Sequence, residues 1–174
     1  MLEKLYYIAS NHPTKTHSEL VEEACISGVK LIQLRMKNYT KEQIQKEANT
    51  CSVICKKHNS KLIINDFINL TKEVNADGVH LGLNDDSINK AYEILGNDTI
   101  IGGTANTYED VISLKNAKVD YIGLGPFRFT ETKKVLSPIL GLEGYKNIIS
   151  KLKENRIQYP PIYAIGGIEL EDIS

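Results

Sequence analysis

Seven short runs of β-branched and aliphatic residues recur along the chain, at residues 5–9, 30–35, 61–65, 77–81, 99–103, 120–124 and 161–165. Stretches with helical periodicity lie between them, and this alternation constrains the fold more than any other feature. Helices are expected over 18–27, closed by Gly28, over 41–58, over 87–95, closed by Gly96, and over 107–116 and 142–155. A strand with one face in water alternates apolar with polar residues. These runs are nearly continuously apolar, so they read as parallel strands covered by helices. Two α/β architectures follow that pattern, a (β/α)8 TIM barrel and an open doubly wound sheet.

The polar residues choose between them. They gather just after successive strand runs, as Gln33, Arg35 and Lys37, then Asn65 and Asp66, His80 and Asp85, Thr104, Thr130 and Lys133, and Gly166 and Gly167. A parallel barrel builds its site from every strand end, whereas an open sheet concentrates ligand contacts at one switch point, so the barrel is expected. Gly123-Leu124-Gly125 lacks the third glycine and the acidic follow-up of a dinucleotide fingerprint. No linker, repeat or low-complexity tract divides the sequence, which reads as one domain over 1–174. A closed barrel needs an eighth strand and helix. The sequence reaches Ser174 soon after the seventh run, while barrels typically take about 250 residues, so a C-terminally incomplete barrel is expected.

With 41% hydrophobic residues and a net charge of -1, the chain has material for a sizeable core and no basic stripe for nucleic acid. No stretch approaches the roughly 20 apolar residues of a membrane helix, and the first residues show no export signal, so a cytoplasmic protein is expected. Small-molecule partners, with homo-oligomerisation left open, fit this composition. Cys25, Cys51 and Cys55 read as core packing, since no His or further Cys stands near the Cys51/Cys55 pair to complete a zinc site. His12, His17 and His58 read as loop or helix-end residues. His80 follows a strand and reads as a structural or pocket-lining histidine.

The chemistry-bearing residues favour a phosphorylated ligand. Residues 120–134 form a strand opening into a loop with two glycines, hydroxyls at Thr130 and Thr132 and the compact charge of Lys133, all suited to phosphate oxygens. Arg35 and Lys37, two apart, point the same way if strand geometry persists, and Gln33 adds an amide to this cationic clamp. Asp66 and Asp85 could hold a magnesium ion between carboxylates and substrate phosphates. Taken singly, Asp66, Asp85 and Asp86 serve equally well as helix caps.

Five motifs in order, Gln33-Leu34-Arg35-Met36-Lys37, Ile64-Asn65-Asp66, Asp77-Gly78-Val79-His80-Leu81-Gly82 with Asp85, Thr130-Glu131-Thr132-Lys133 and Ala164-Ile165-Gly166-Gly167-Ile168, resemble the thiamine phosphate synthase family over nearly the whole chain. The resemblance implies a transferase that joins hydroxymethylpyrimidine diphosphate to hydroxyethylthiazole phosphate with the help of Mg²⁺, releasing pyrophosphate. It further implies that Gln33, Arg35, Lys37, Asn65 and Lys133 hold the pyrimidine diphosphate and that Asp66 and Asp85 ligate Mg²⁺. Thr130, Thr132 and Gly167 would hold the thiazole phosphate, and Thr104 stands where the family usually has a serine. Arg35, Lys37 and Lys133 would carry catalysis by stabilising the departing pyrophosphate. Leu83 and Asn106 depart from a common glutamine and histidine. Two rival readings are a thiazole tautomerase-like barrel and a paralogue that binds a phosphorylated ligand without catalysis.

Overall fold

The computed structural model describes residues 2–130 and 138–173. All seven expected strands are present: β1 (Tyr7–Ala9), β2 (Leu31–Leu34), β3 (Lys61–Asn65), β4 (Gly78–Leu81), β5 (Ile100–Ala105), β6 (Tyr121–Leu124) and β7 (Ile162–Ala164). Helices α1 (His17–Ile26), α2 (Lys41–Lys57), α3 (Ile68–Glu73), α4 (Ile88–Leu95), α5 (Tyr108–Asn116) and α6 (Gly141–Glu154) separate them. Strand order follows chain order from β1 to β7. A doubly wound sheet reverses its order at a switch point, and this one does not, so the chain carries six consecutive β/α units and a seventh strand of the barrel class. The eighth unit of a closed barrel is absent from the described residues.

The chain divides into two compact units, one of residues 2–81 and 85–101, the other of residues 82–84 and 102–173. In the first, β1 to β4 pair in parallel, with Ala9 opposite Leu34, Leu34 opposite Ile64 and Asn65 opposite His80. Their aliphatic side chains pack on α1 and α2 in a core that includes Val21, Ile32, Leu62, Ile64 and Ala48. Cys25, Cys51 and Cys55 are free and buried there. Burial pushes the Cys51 thiol up to about 12, which keeps it neutral and unreactive. In the second unit β5, β6 and β7 pair in parallel, with Thr104 opposite Gly123 and Leu124 opposite Ala164. Fully buried Tyr121 meets the Tyr163 ring edge-on at 5.5 Å.

Local sequence starts four of the helices where they start. Thr16 with Glu19, Thr40 with Gln43 and Thr107 with Asp110 form reciprocal capping boxes on α1, α2 and α5, and Ser87 caps α4. Each such cap stabilises its helix by about 1 kcal/mol. Helix α3 was not expected from the sequence. It has six residues, no side-chain cap and too little length for periodicity to register, and the burial of Ile68, Leu70 and Thr71 holds it.

Candidate active site

In the first unit, the C-terminal ends of β2, β3 and β4 bring the expected residues together. Backbone pairing continues one residue past β2, where the Arg35 amide donates to the Ala9 carbonyl at 2.9 Å. Gln33 is buried, and its amide donates to the Tyr6 hydroxyl. Lys37 forms an ion pair with Asp66. The two lie 29 residues apart, a pairing the sequence reading did not foresee. Asp66 turns sharply out of β3 with φ of 67°, a left-handed conformation that Asp tolerates better than most residues. Its amide donates to the His80 carbonyl at 2.9 Å, which fixes the carboxyl beside the end of β4.

Burial first, and the neighbouring Asp85 carboxyl second, push the Asp66 carboxyl up to about 6, with Lys37 opposing the shift. A raised acid of this kind arises where two carboxylates meet in one place and one proton serves both. Arg35 lies in the field of both carboxylates; burial lowers its guanidinium pKa, and Asp66 and Asp85 pull it back up. The amide nitrogen of Asn65 is buried with no hydrogen-bond partner among the described residues, a donor left over for a ligand.

The capping alternative for the aspartates does not hold. Helix α3 has Phe67 at its N-cap with no side-chain bond, and the N-cap of α4 is Ser87. Asp86 instead pairs with Lys90 at 2.7 Å. The Asp66/Asp85 pair suits a hard divalent cation: it offers carboxylate oxygens, and the Lys37 ammonium already stands against one of them where positive charge is favoured. No group of three metal-ligating side chains exists among the described residues. Such a cation would therefore draw its remaining ligands from substrate phosphates and water.

In the second unit, Thr104 is buried at the end of β5. Beyond it, the Asn106 side-chain amide donates to the carbonyls of Gly125 and Pro138, both at 2.9 Å. These carbonyls lie on either side of residues 126–137, so the departure at Asn106 is a side chain that ties the two ends of the loop after β6. The sequence reading missed that role, because the burial that marks this asparagine is visible only in the structure. Leu83, the other departure, is exposed.

The start of the same loop runs along the end of β7, where the amides of Phe127 and Arg128 donate to the carbonyls of Ile165 and Gly166, each at 2.9 Å. This close approach needs glycine: a Cβ on Gly166 would stand 2.7 Å from the Pro126 Cβ, and one on Gly167 would stand 2.8 Å from the Arg128 Cβ. Gly166 and Gly167 have φ of 81° and 69°. Arg128, which the sequence reading did not single out, donates to the Gly167 carbonyl at 3.1 Å and ion-pairs with Asp172. Thr130 is described, whereas Thr132 and Lys133 lie outside the described residues.

Seven parallel strands in chain order, separated by helices, with a mixed acidic and basic cluster at the ends of β2, β3 and β4, define the class: a barrel-type enzyme acting on small molecules. A family model described as thiamine monophosphate synthase matches residues 5–174. The thiamine-phosphate synthase of Flavobacterium johnsoniae is 48% identical over 100% of this chain and 82% of its own length. That of Phocaeicola vulgatus is 47% identical over 98% of the chain and 81% of its length. Among solved structures, thiamine phosphate pyrophosphorylase from Pyrococcus furiosus superposes with a TM-score of 0.82 at 27% identity, covering 97% of this chain and 78% of that one. The citrate synthase SbnG, at a TM-score of 0.60 and 11% identity over 97% of this chain and 80% of that one, shares the fold alone. This chain belongs to the thiamine monophosphate synthase family and is a transferase of that family.

Proposed function

We propose that this chain condenses hydroxymethylpyrimidine diphosphate with hydroxyethylthiazole phosphate, in the cytoplasm and with Mg²⁺ as cofactor, giving thiamine phosphate and pyrophosphate. The observation that carries the reading is the cluster of Arg35, Lys37, Asp66 and Asp85 at three strand ends of one unit. Arg35 and Lys37 hold the diphosphate and stabilise the charge that builds on its oxygens as it departs. Gln33, braced by Tyr6, and the unpartnered amide of Asn65 orient the same substrate. Mg²⁺, held by Asp66 and Asp85 when bound, supplies further positive charge against the leaving pyrophosphate.

Thr130, Thr132 and the Gly167 backbone hold the thiazole phosphate, Thr104 contacts the pyrimidine side, and Lys133 joins the diphosphate clamp. The attacking ring nitrogen has no proton to lose, so the reaction requires no general base and no protein nucleophile. A tautomerase acting on the thiazole phosphate alone, or a binding-only paralogue, has no use for a diphosphate clamp. Pyrophosphate release, followed with both substrates and Mg²⁺ and with each omitted in turn, tests the reading: only the synthase requires all three.

A further inference from the structure

We propose that Arg128 and Asp172 are positioning residues for the thiazole phosphate, forming a latch that aims the backbone amides of Gly167 and Ile168 at it. The inference rests on the role given above to the Gly167 backbone and extends it to two side chains that act through that backbone. One residue holds two consecutive carbonyls. The Arg128 amide donates to the Gly166 carbonyl at 2.9 Å, and its guanidinium Nη1 donates to the Gly167 carbonyl at 3.1 Å. In a planar trans peptide the carbonyl of one residue and the amide of the next point in opposite directions. Holding the Gly166 and Gly167 carbonyls toward Arg128 therefore turns the Gly167 and Ile168 amides away from it. Those two amides donate to no group among the described residues, which leaves two successive backbone donors for an anion.

The backbone held in this way needs an external hold. Gly166 and Gly167 have φ of 81° and 69°, and glycine gives up more conformational freedom on folding than any other residue. The latch is anchored on both sides. Asp172 takes the Arg128 fork with both oxygens, Oδ1 accepting from Nη2 at 2.7 Å and Oδ2 from Nη1. Oδ2 also accepts from the Glu169 amide at 2.8 Å, which fixes the carboxylate on the short 3-10 turn Leu170–Asp172 after β7. The Glu169 carboxylate stands farther off, 4.0 Å from Nη1. On the other side the guanidinium lies over the Phe127 ring, 4.9 Å from its centre. That ring meets the Tyr145 ring of α6 at 5.6 Å, and the Phe127 carbonyl accepts from the Gly141 amide at 3.0 Å. A bidentate pair fixes the plane of the guanidinium, which a lysine cannot reproduce. Without the latch the two carbonyls turn more freely and the amides lose their preset direction. A displacement of about 1 Å at such a group costs on the order of 10²-fold in rate, and a partial loosening less.

The test measures the KM for each substrate in Arg128→Ala, Arg128→Lys, Asp172→Asn and the double variant Arg128→Ala/Asp172→Asn, with circular dichroism to show that each is folded. Arg128→Ala is expected to raise the thiazole phosphate KM by about tenfold and to leave the pyrimidine diphosphate KM within about twofold of wild type. Arg128→Lys keeps the charge without the fork, and Asp172→Asn keeps the shape without the charge. Each is expected to raise the thiazole phosphate KM by about threefold. Because the two side chains act as one unit, the double variant is expected to match Arg128→Ala instead of multiplying the separate effects. Should Arg128→Ala fail to fold, Arg128→Lys and Asp172→Asn decide. A raised KM in the Arg128 variants with Asp172→Asn at the wild-type value means that Arg128 reaches the phosphate itself, and the latch is overturned. It is equally overturned if both KM values rise together, or if neither rises in the folded variants. If the wild type forms no thiamine phosphate from the two substrates, the proposed reaction fails first and the latch falls with it.

Discussion

Asp66 carries the plainest chemical signature in the molecule. Its ordinary value is 3.8, and burial together with the neighbouring Asp85 carboxyl raises it to about 6. The fold therefore favours the neutral acid, and the cation-free protein loses that contribution as pH rises from about 4 to about 6. A divalent cation needs both carboxylates charged, so its binding weakens as pH falls through about 6. Urea unfolding in chelator between pH 4 and 7 should show this slope in the wild type and a flatter profile in Asp66→Asn. Calorimetric Mg²⁺ titration should show affinity for the wild type falling over the same range. The residue types at this site were legible because Arg35, Lys37, Asn65, Asp66 and Asp85 all follow strand runs. The ion pair between Lys37 and Asp66 was not, because it depends on parallel register between β2 and β3, and register leaves no mark on a one-dimensional spacing.

At the scale of elements, the loop after β6 is tied at both ends by one side chain. Asn106→Ala leaves the Gly125 and Pro138 carbonyls without their donor and should cost about 1–3 kcal/mol in urea unfolding. Asn106→Asp should cost more, since it turns an acceptor toward two carbonyls. Gly167→Ala places a Cβ 2.8 Å from Arg128 at a φ of 69°. The strain of about 1–2 kcal/mol should shift the loop and raise the KM for the thiazole phosphate more than that for the pyrimidine diphosphate. All seven strands and the five longer helices were legible, since their apolar runs are long enough, and for α1, α2, α4 and α5 the caps stand in the sequence. Helix α3 was not: nothing local marks Phe67 as its start, and its stability comes from packing. Asn106 was read as a departure from a motif, because an asparagine that bridges two carbonyls looks the same in sequence as one that faces solvent.

At the scale of the whole molecule, chain-order strands separated by helices bring three consecutive strand ends of the first unit to one cluster of charged residues. That order was readable in advance because parallel strands covered by helices need near-continuous apolar runs, and the polar residues that break them fall at the ends. No described helix is long and apolar enough to cross a membrane. The proposed reaction needs the acidic pair in this cluster to hold Mg²⁺ against the leaving pyrophosphate. The most direct measurement is the initial rate of thiamine phosphate formation by wild type and Asp85→Asn at pH 8, with both substrates saturating and Mg²⁺ present. The account predicts one pyrophosphate released per thiamine phosphate formed and a loss of about 10²-fold or more in the variant, with its circular dichroism unchanged. A folded Asp85→Asn protein turning over at close to the wild-type rate would contradict it.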